Sequence, residues 1–91
     1  MTNTAGANPA DFSKGDSTDV EVTTTSNGTT AVKNVLVNGA PVPGVSLTID
    51  ALKVTITSTY ITGLNLANGN YPIVVEFTKG NSVTYTLTIK D

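Results

Sequence analysis

The residues of this 91-residue chain that are best able to do chemistry are its carboxylates. Four of them lie close together in the sequence, at Asp11, Asp16, Asp19 and Glu21. Calcium takes about six to eight oxygen ligands, and the spacing of these four acids matches no calcium-binding loop. Asp19 and Glu21 instead share one side of an expected strand. The sequence therefore favours a charged, solvent-facing strand edge that resists pairing with other chains over a calcium site.

Catalysis would need a different arrangement of acids. Glycoside hydrolysis uses two carboxylates that face each other across a cleft. Glu76 is the only candidate on a strand that reaches the core, and its neighbours on the same face are Pro72, Val74 and Thr78. The chain has no Cys and no His, which excludes a zinc site, a thiol nucleophile and a Ser-His-Asp triad. We expect no enzyme activity, no catalytic or metal-binding residue and no cofactor.

The distribution of charge limits the partners. Five Lys are scattered singly against seven acids and there is no Arg, so no basic patch can hold a phosphate backbone. No run of about 18 apolar residues exists to insert into a membrane, and the first residues lack the features of a secretory signal. We expect no nucleic-acid partner and no membrane insertion. The chain is either assembled inside a cell or part of a larger exported protein.

Aromatic residues are few. Sugar-binding sandwiches stack sugars on exposed Trp or Tyr rings, whereas this chain has no Trp, and Tyr60, Tyr71 and Tyr85 occupy positions predicted to face mainly the core. Tyr71 follows a turn at residues 66–70, which is typical of a corner in which the hydroxyl bonds a nearby backbone group; stacking on a ligand is the alternative. A strong sugar site is not supported. Weak polysaccharide adhesion through Thr hydroxyls and Asn amides stays open.

The elements that must position these side chains are β-strands. Thr and Val are abundant, Asn and Gly supply turns, and the usual helix formers are scarce. Hydrophobic alternation and turn signals predict strands over residues 10–13, 19–25, 30–37, 45–50, 52–57, 71–78 and 83–90. Residues 30–37 alternate poorly, which is compatible with a bulge. Ser58 is expected to cap one short helical turn near residues 58–64.

This spacing of strands predicts an all-β fold, an immunoglobulin-like antiparallel β-sandwich of six to seven short strands. The residues expected in its core are Phe12, Val20, Val22, Val54, Ile56, Ile73, Val75, Phe77, Leu87 and Ile89. Residues 10–91 form this domain, and residues 1–9 are predicted to be a flexible polar leader that attaches to a partner. The Thr-rich outer side of residues 83–90 is the alternative point of attachment.

Several short motifs recur in this order and at similar spacing in one known family. They are Pro9 with Phe12-Ser13-Lys14, Asp19-Val20-Glu21-Val22-Thr23, Ser26-Asn27-Gly28-Thr29, Lys53-Val54-Thr55-Ile56 with Tyr60 and Leu64, Gly69, Val75-Glu76-Phe77 with Gly80, and Thr86-Leu87-Thr88-Ile89. Over residues 8–91 the chain resembles the immunoglobulin-like hydrophilic X-type modules of clostridial cellulosome scaffoldins and related surface enzymes. At residues 44–48 it lacks the Gly-x-Asp-Tyr-x stretch common in that family, so no role of that Tyr transfers.

The resemblance implies a non-catalytic module that improves solubility and associates weakly with cell walls or polysaccharide. Such modules also resemble small domains displayed on tailed-phage virions. Because the chain starts with its own Met and shows neither signal nor linker, we expect a decoration protein at the virion surface, bound to the protein lattice of a capsid or other virion protein. The alternative is an extracellular accessory module within a larger scaffold chain at the bacterial cell surface, such as a cellulosomal scaffoldin.

Overall fold

The computed structural model describes residues 1–6 and 11–91 and folds them into two facing β-sheets. The strands are β1 (Asn3–Ala5), β2 (Phe12–Ser13), β3 (Val20–Ser26), β4 (Val32–Val37), β5 (Ala40–Pro41), β6 (Leu47–Asp50), β7 (Lys53–Ile56), β8 (Gly69–Phe77) and β9 (Val83–Lys90). A 3-10 turn (Gly44–Ser46) precedes β6, and helix α1 (Ser58–Gly63) separates β7 from β8. One sheet has the strand order β1-β3-β7-β6 and the other has the order β2-β9-β8-β4-β5.

This order of strands is that of an immunoglobulin-like sandwich, so the predicted fold class is confirmed. Within the described residues there are nine strands rather than six or seven, because β1 and β5 are too short to show alternation in the sequence. The sandwich is not wholly antiparallel, since β2 pairs with β9 in the parallel sense. The chain crosses from one sheet to the other between β1 and β2 without reversing its direction.

The core forms where the inward side chains of the two sheets meet. All ten residues expected in the core are buried, and they are joined by Val35, Val37, Val42, Ile61, Val83 and Tyr85. Full burial of a Val, Leu, Ile or Phe side chain contributes about 1.5–3 kcal/mol. The alternating strands β3, β7, β8 and β9 therefore hold the two sheets together.

Strand β6 starts later than predicted and buries less of its apolar side. Pro43 opens the 3-10 turn, in which the Ser46 N–H donates to the Pro43 carbonyl over 3.0 Å. Val45 lies in this turn and is 93% exposed, and Ile49 is 45% exposed. The alternation of these residues with Leu47 therefore does not mark a buried face. The reason is that β6 is an edge strand, paired only with β7 in the described part of the chain.

Strand β1 lies inside residues 1–9, the segment predicted to be a flexible polar leader. Asn3–Ala5 pair antiparallel with Thr24–Ser26 of β3, and the Gly6 N–H extends the pairing by donating to the Thr23 carbonyl over 2.9 Å. Asn3–Ala5 are thus part of the sheet, although the sequence predicted no strand there. Residues 7–9 of the leader lie outside the described residues, and the flexibility expected of the leader stays a prediction.

Two Asn side chains fasten β1 to the turn between β8 and β9. The Asn3 N–H donates to Asn81 Oδ1 over 2.8 Å, and Asn81 Nδ2 donates to the Asn3 carbonyl over 2.9 Å. The Asn3 side chain is buried at 3% exposure, and its Nδ2 donates to the carbonyls of Lys79 and Asn81. Gly80 has a φ of +86°, and a Cβ there would lie 2.6 Å from Asn3 Nδ2. The turn is thus shaped to admit the Asn3 amide.

Local signals in the middle of the chain place α1 and the bulge. Thr57, rather than the expected Ser58, caps α1, since its side chain accepts a hydrogen bond from the Tyr60 N–H over 3.3 Å. The predicted bulge is confirmed, because the register of β4 on β8 shifts between Val32 and Asn34.

Within residues 1–6 and 11–91, no helix is long and apolar enough to cross a membrane.

Candidate functional site

The four acids of the candidate calcium cluster lie apart, each with its own partner. Asp11 pairs with Lys90 and Glu21 pairs with Lys53, with N–O distances of 3.2 and 3.4 Å. Asp16 Oδ1 accepts the Thr18 N–H over 3.0 Å, and Asp19 Oδ1 accepts the Ser58 N–H over 3.0 Å. No group of three or more potential ligands that could hold a metal ion occurs among the described residues. These acids fasten loops and strands instead.

The proposed role of Asp19 and Glu21 as a protective strand edge is wrong. Strand β3, which carries Glu21, lies between β1 and β7 in its sheet. Glu21 projects from the outer side of this sheet beside Thr55, its cross-strand neighbour, and near Lys53. Asp19 precedes β3 and anchors the start of α1. The sequence pattern identified the outward side chains correctly but not the position of the strand in the sheet.

Glu76 lies on the open outer side of the five-stranded sheet. Its Oε1 accepts a hydrogen bond of 3.3 Å from Asn34 Nδ2, and Asn34 is its cross-strand neighbour on β4. No second carboxylate faces it across a cleft within the described chain. Glu76 therefore lacks the facing carboxylate that glycoside hydrolysis requires.

Three depressions formed by described residues contain no pair of facing carboxylates. An apolar cavity of about 230 Å³ at one end of the sandwich is lined by Phe12, Lys14, Ile61, Thr62, Asn65, Leu66, Ala67 and Ile89. Two shallower depressions, of about 360 and 490 Å³, are lined mainly by Gly, Ser and Thr. Asp16 is the only carboxylate in the three linings, and it is engaged with the backbone of Thr18.

The two longest strands of the described chain, β8 and β9, form an extended outer surface, which we call the β8–β9 face. Its side chains are Asn70, Pro72, Val74 and Glu76 of β8 and Thr84, Thr86, Thr88 and Lys90 of β9. The register places Thr88 beside Asn70, Thr86 beside Pro72, and Thr84 beside Val74. This arrangement confirms the solvent-facing Thr side predicted from the alternation of residues 83–90.

The centre of the β8–β9 face carries no charge. Glu76 lies at one end and Lys90 at the other, and between them are only hydroxyl, amide and apolar side chains. The Thr88 hydroxyl donates to Asn70 Oδ1 over 2.8 Å, which orients both groups. Outward side chains on one strand are about 7 Å apart, so the Thr hydroxyls form a regular row. Neutral hydroxyls beside small apolar groups suit an uncharged, hydroxyl-rich ligand.

Strand β4 widens this surface with residues that the sequence analysis did not assign to it. Leu36 lies beside Val74 in the register and Asn34 beside Glu76. Leu36 and Val74 are half-buried, so together they form a low apolar strip next to the Thr row. The bulge between Val32 and Asn34 hid the inward and outward sides of β4 in the sequence. Only the pairing of the strands reveals them.

The opposite sheet has a more highly charged outer side. Glu21, Lys53 and Asp50 occupy neighbouring positions there, and the Glu21 and Lys53 side chains form an ion pair. An uncharged ligand gains little from such groups, and their hydration must be disturbed to bind it. Of the two outer faces, the β8–β9 face is therefore the better surface for a neutral ligand.

The three Tyr side chains have structural partners. Tyr71 donates its hydroxyl proton to the Ala67 carbonyl over 2.6 Å, which confirms the predicted corner. Tyr85 is fully buried, and its hydroxyl bonds Thr24 and the Thr23 carbonyl. Tyr60 is half-buried against the core and reaches the backbone at the end of β5. The described residues thus show no exposed Tyr that could act as a stacking platform for a sugar.

Fold and surface together define a small immunoglobulin-like module with an open, neutral, hydroxyl-bearing face. A family model described as carbohydrate binding domain X2 matches residues 7–89. The chain belongs to this family. The match agrees with the resemblance to X-type modules seen in the sequence motifs. No curated protein matches the chain.

Solved structures of similar fold come from larger proteins. A trimodular endoglucanase of the GH5_4 subfamily is 19% identical with a TM-score of 0.77, over 99% of this chain and 18% of its own. The tri-modular endo-β-1,4-glucanase B from Bacillus halodurans is 16% identical with a TM-score of 0.75, over 97% and 17% of the two chains. A tri-modular GH5 endo-β-1,4-glucanase from Bacillus licheniformis, complexed with cellotetraose, is 20% identical with a TM-score of 0.75, over 97% and 18%.

At these identities the similarity shows the fold alone, and the chain spans less than a fifth of each similar protein. The family match relates the chain to carbohydrate-binding domains. The comparisons do not support the virion decoration that the sequence analysis put first. Of the two expected roles, the family match favours the accessory module associated with polysaccharide.

Proposed function

We propose that this chain is a non-catalytic accessory module of a larger extracellular protein that acts on polysaccharide, and that its β8–β9 face holds a neutral polysaccharide weakly. The family match over residues 7–89 carries this proposal. The uncharged row of Thr84, Thr86 and Thr88 supports the choice of surface, because hydroxyl groups can both donate to and accept from sugar hydroxyls.

The chemistry of the face sets the strength of binding. A hydrogen bond between protein and ligand replaces bonds to water, so each one contributes only about 0.5–1.5 kcal/mol net. Pro72 and the strip formed by Val74 and Leu36 add apolar contact for the C–H groups of a sugar ring, but no aromatic ring is available on this face. We therefore expect low affinity for a single oligosaccharide.

Low affinity is compatible with a useful role in a larger chain. When another module of the same polypeptide is bound to polysaccharide, the β8–β9 face is held near its ligand at a high effective concentration. The weak contact of this face then keeps the whole polypeptide attached to the polysaccharide for longer, while each single contact still dissociates quickly.

The test measures retention on insoluble cellulose and, in a second arm, on bacterial cell-wall polysaccharide. Thr84→Val with Thr86→Val removes two hydroxyls from the β8–β9 face and keeps the branched shape of both side chains. The matched control, Thr48→Val with Thr55→Val, removes two neighbouring hydroxyls from the outer side of the other sheet. We expect the first pair to lower the bound fraction about fivefold, since two hydrogen bonds are lost, and the control pair to leave it unchanged.

Titration of the isotope-labelled module with cello-oligosaccharides locates the contact by amide chemical shifts. Shifts confined to β8, β9 and β4 support the proposal. Equal retention of both variant pairs would contradict the choice of face. Absence of retention on either polysaccharide would contradict the binding function itself.

A further inference from the structure

The two-residue strand β2 is held to β9 by more interactions than its length suggests. Phe12 pairs with Ile89 and Ser13 with Lys90 in the parallel sense. The Lys14 N–H continues the ladder by donating to the Lys90 carbonyl over 2.8 Å. We call this pairing of residues 12–14 with residues 89–90 the seam.

Two ion pairs also cross the seam. Lys90 Nζ lies 3.2 Å from Asp11 Oδ2, and Lys14 Nζ lies 3.5 Å from Asp91 Oδ1. Asn68 Nδ2 also donates to Asp91 Oδ2 over 3.1 Å; together with Lys14 it lowers the pKa of the Asp91 carboxyl. Three ion pairs are found in the described part of the chain, and two of them lie here. Exposed pairs contribute little to equilibrium stability, so their concentration at the seam calls for another explanation.

The first and last residues of the chain lie at opposite ends of the strands. Thr2 exchanges hydrogen bonds with Asn27 at the end that carries the turn between β8 and β9. Asp91 lies at the other end, beside Asn68 and Lys14. Strands β1, β2 and β9 all run from the first end to the second. Tension between the two termini therefore acts along the strands of the seam and in opposite directions on β2 and β9.

We propose that the seam is the load-bearing element of this module, which resists unfolding when the chain is pulled from its two ends. The inference rests on the proposed function, in which the module lies within a longer chain that is attached to a solid substrate. The ladder bonds run across the strands, so a pull along the strands strains all of them together. The two ion pairs lie on either side of the ladder and oppose the same sliding motion. Forced unfolding depends on the unfolding barrier, which equilibrium stability does not determine.

Single-molecule pulling tests this directly, because the absence of Cys allows attachment through introduced thiols. One geometry attaches Cys residues before Met1 and after Asp91, and loads the seam along its strands. The other uses Ser17→Cys with the Cys after Asp91, so that both points lie at the same end and the seam opens bond by bond. We expect an unfolding force about twofold higher in the first geometry. Equal forces in the two geometries would overturn the proposal, and this comparison needs no weakened variant.

Three variants pulled end to end separate the contributions. Lys14→Pro removes both the backbone donor and an ion pair, Lys14→Ala removes only the ion pair, and Lys53→Ala removes the ion pair of the other sheet. We expect the unfolding force to fall most for Lys14→Pro, less for Lys14→Ala and not for Lys53→Ala. Each variant is first checked for an intact thermal transition.

A force for Lys14→Pro equal to that of the unaltered chain would overturn the load-bearing role. Retention on polysaccharide is measured separately, so loss of the proposed binding function is distinguishable from failure of the mechanical inference.

Discussion

The Tyr85 hydroxyl is a polar group at the centre of the core, and its removal tests how the two sheets are joined. It donates to the Thr23 carbonyl and lies 2.6 Å from Thr24 Oγ1. A phenol has one proton, so the Thr24 hydroxyl must be the donor in the second bond. Tyr85 belongs to β9 and Thr24 to β3. The pair therefore links the two sheets by a buried polar contact.

The loss of stability in Tyr85→Phe depends on which buried groups lose a hydrogen-bond partner. The Thr23 carbonyl keeps the Gly6 N–H at 2.9 Å, so it is not left unpaired. The Thr24 hydroxyl loses its acceptor in a buried position, which costs about 1–3 kcal/mol. We expect a loss of about 2 kcal/mol in the free energy of unfolding, and a fall in Tm of about 10 °C for a domain of this size.

Urea unfolding followed by circular dichroism measures this value, and a double-mutant cycle examines its cause. Thr24→Val alone leaves the Tyr85 hydroxyl bonded to Thr23, and we expect it to cost about 1 kcal/mol. In the double variant no buried group is left unpaired, so its cost is smaller than the sum of the two single costs. A loss below about 0.3 kcal/mol for Tyr85→Phe, or strict additivity, would refute this account of the contact.

Four further outcomes are expected. Phe77→Ala lowers the free energy of unfolding by about 3–5 kcal/mol in urea titrations, since it empties a core position. Asn3→Asp keeps the side-chain shape but removes two donors and places a charge against two carbonyls; we expect Tm to fall further than in Asn3→Ala. No hydrolysis of cellulose, cell-wall fragments or simple esters above buffer is expected, and Glu76→Gln should change nothing; turnover lost in that variant would contradict the non-catalytic assignment. Asp91→Asn should lower Tm slightly at neutral pH. Because the pKa of Asp91 is lowered in the folded chain, its ionised carboxylate adds stability at pH values above the ordinary pKa of 3.8. The difference in Tm between this variant and the unaltered chain disappears as the pH falls through the lowered pKa.

Much of the fold could be predicted because most strands alternate between the core and solvent. The inward Val and Ile residues of β3, β7 and β8 are buried by the same two-residue period that the sequence displays. The outward Thr side of β9 follows from the same period and supplies the row of hydroxyls on the proposed binding face. The Tyr71 corner was also predictable, because it joins residues only four positions apart.

The features that escaped prediction depend on long-range pairing. Asn3 and Asn81 are 78 positions apart, and neither lies in a pattern that marks it as a contact. Glu21 was assigned to an edge because alternation gives the side of a strand and not its place in the sheet. Leu36 joined the candidate face only through its register on β8. The parallel pairing of β2 with β9 could not be predicted either, because a strand of two residues is too short to show alternation.

The position of β1 affects how a fragment of this chain should be cut. With Gly6, β1 covers one edge of β3 from Thr23 to Ser26, whereas the family match begins only at residue 7. A fragment trimmed to that boundary would expose unpaired N–H and carbonyl groups on β3, and the Thr23 carbonyl that accepts from Tyr85 would lose the Gly6 N–H. Uncovered strand edges recruit strands from other molecules. Such a fragment would be prone to aggregate during purification, and its poor solubility would reflect where the chain was cut rather than the sandwich itself.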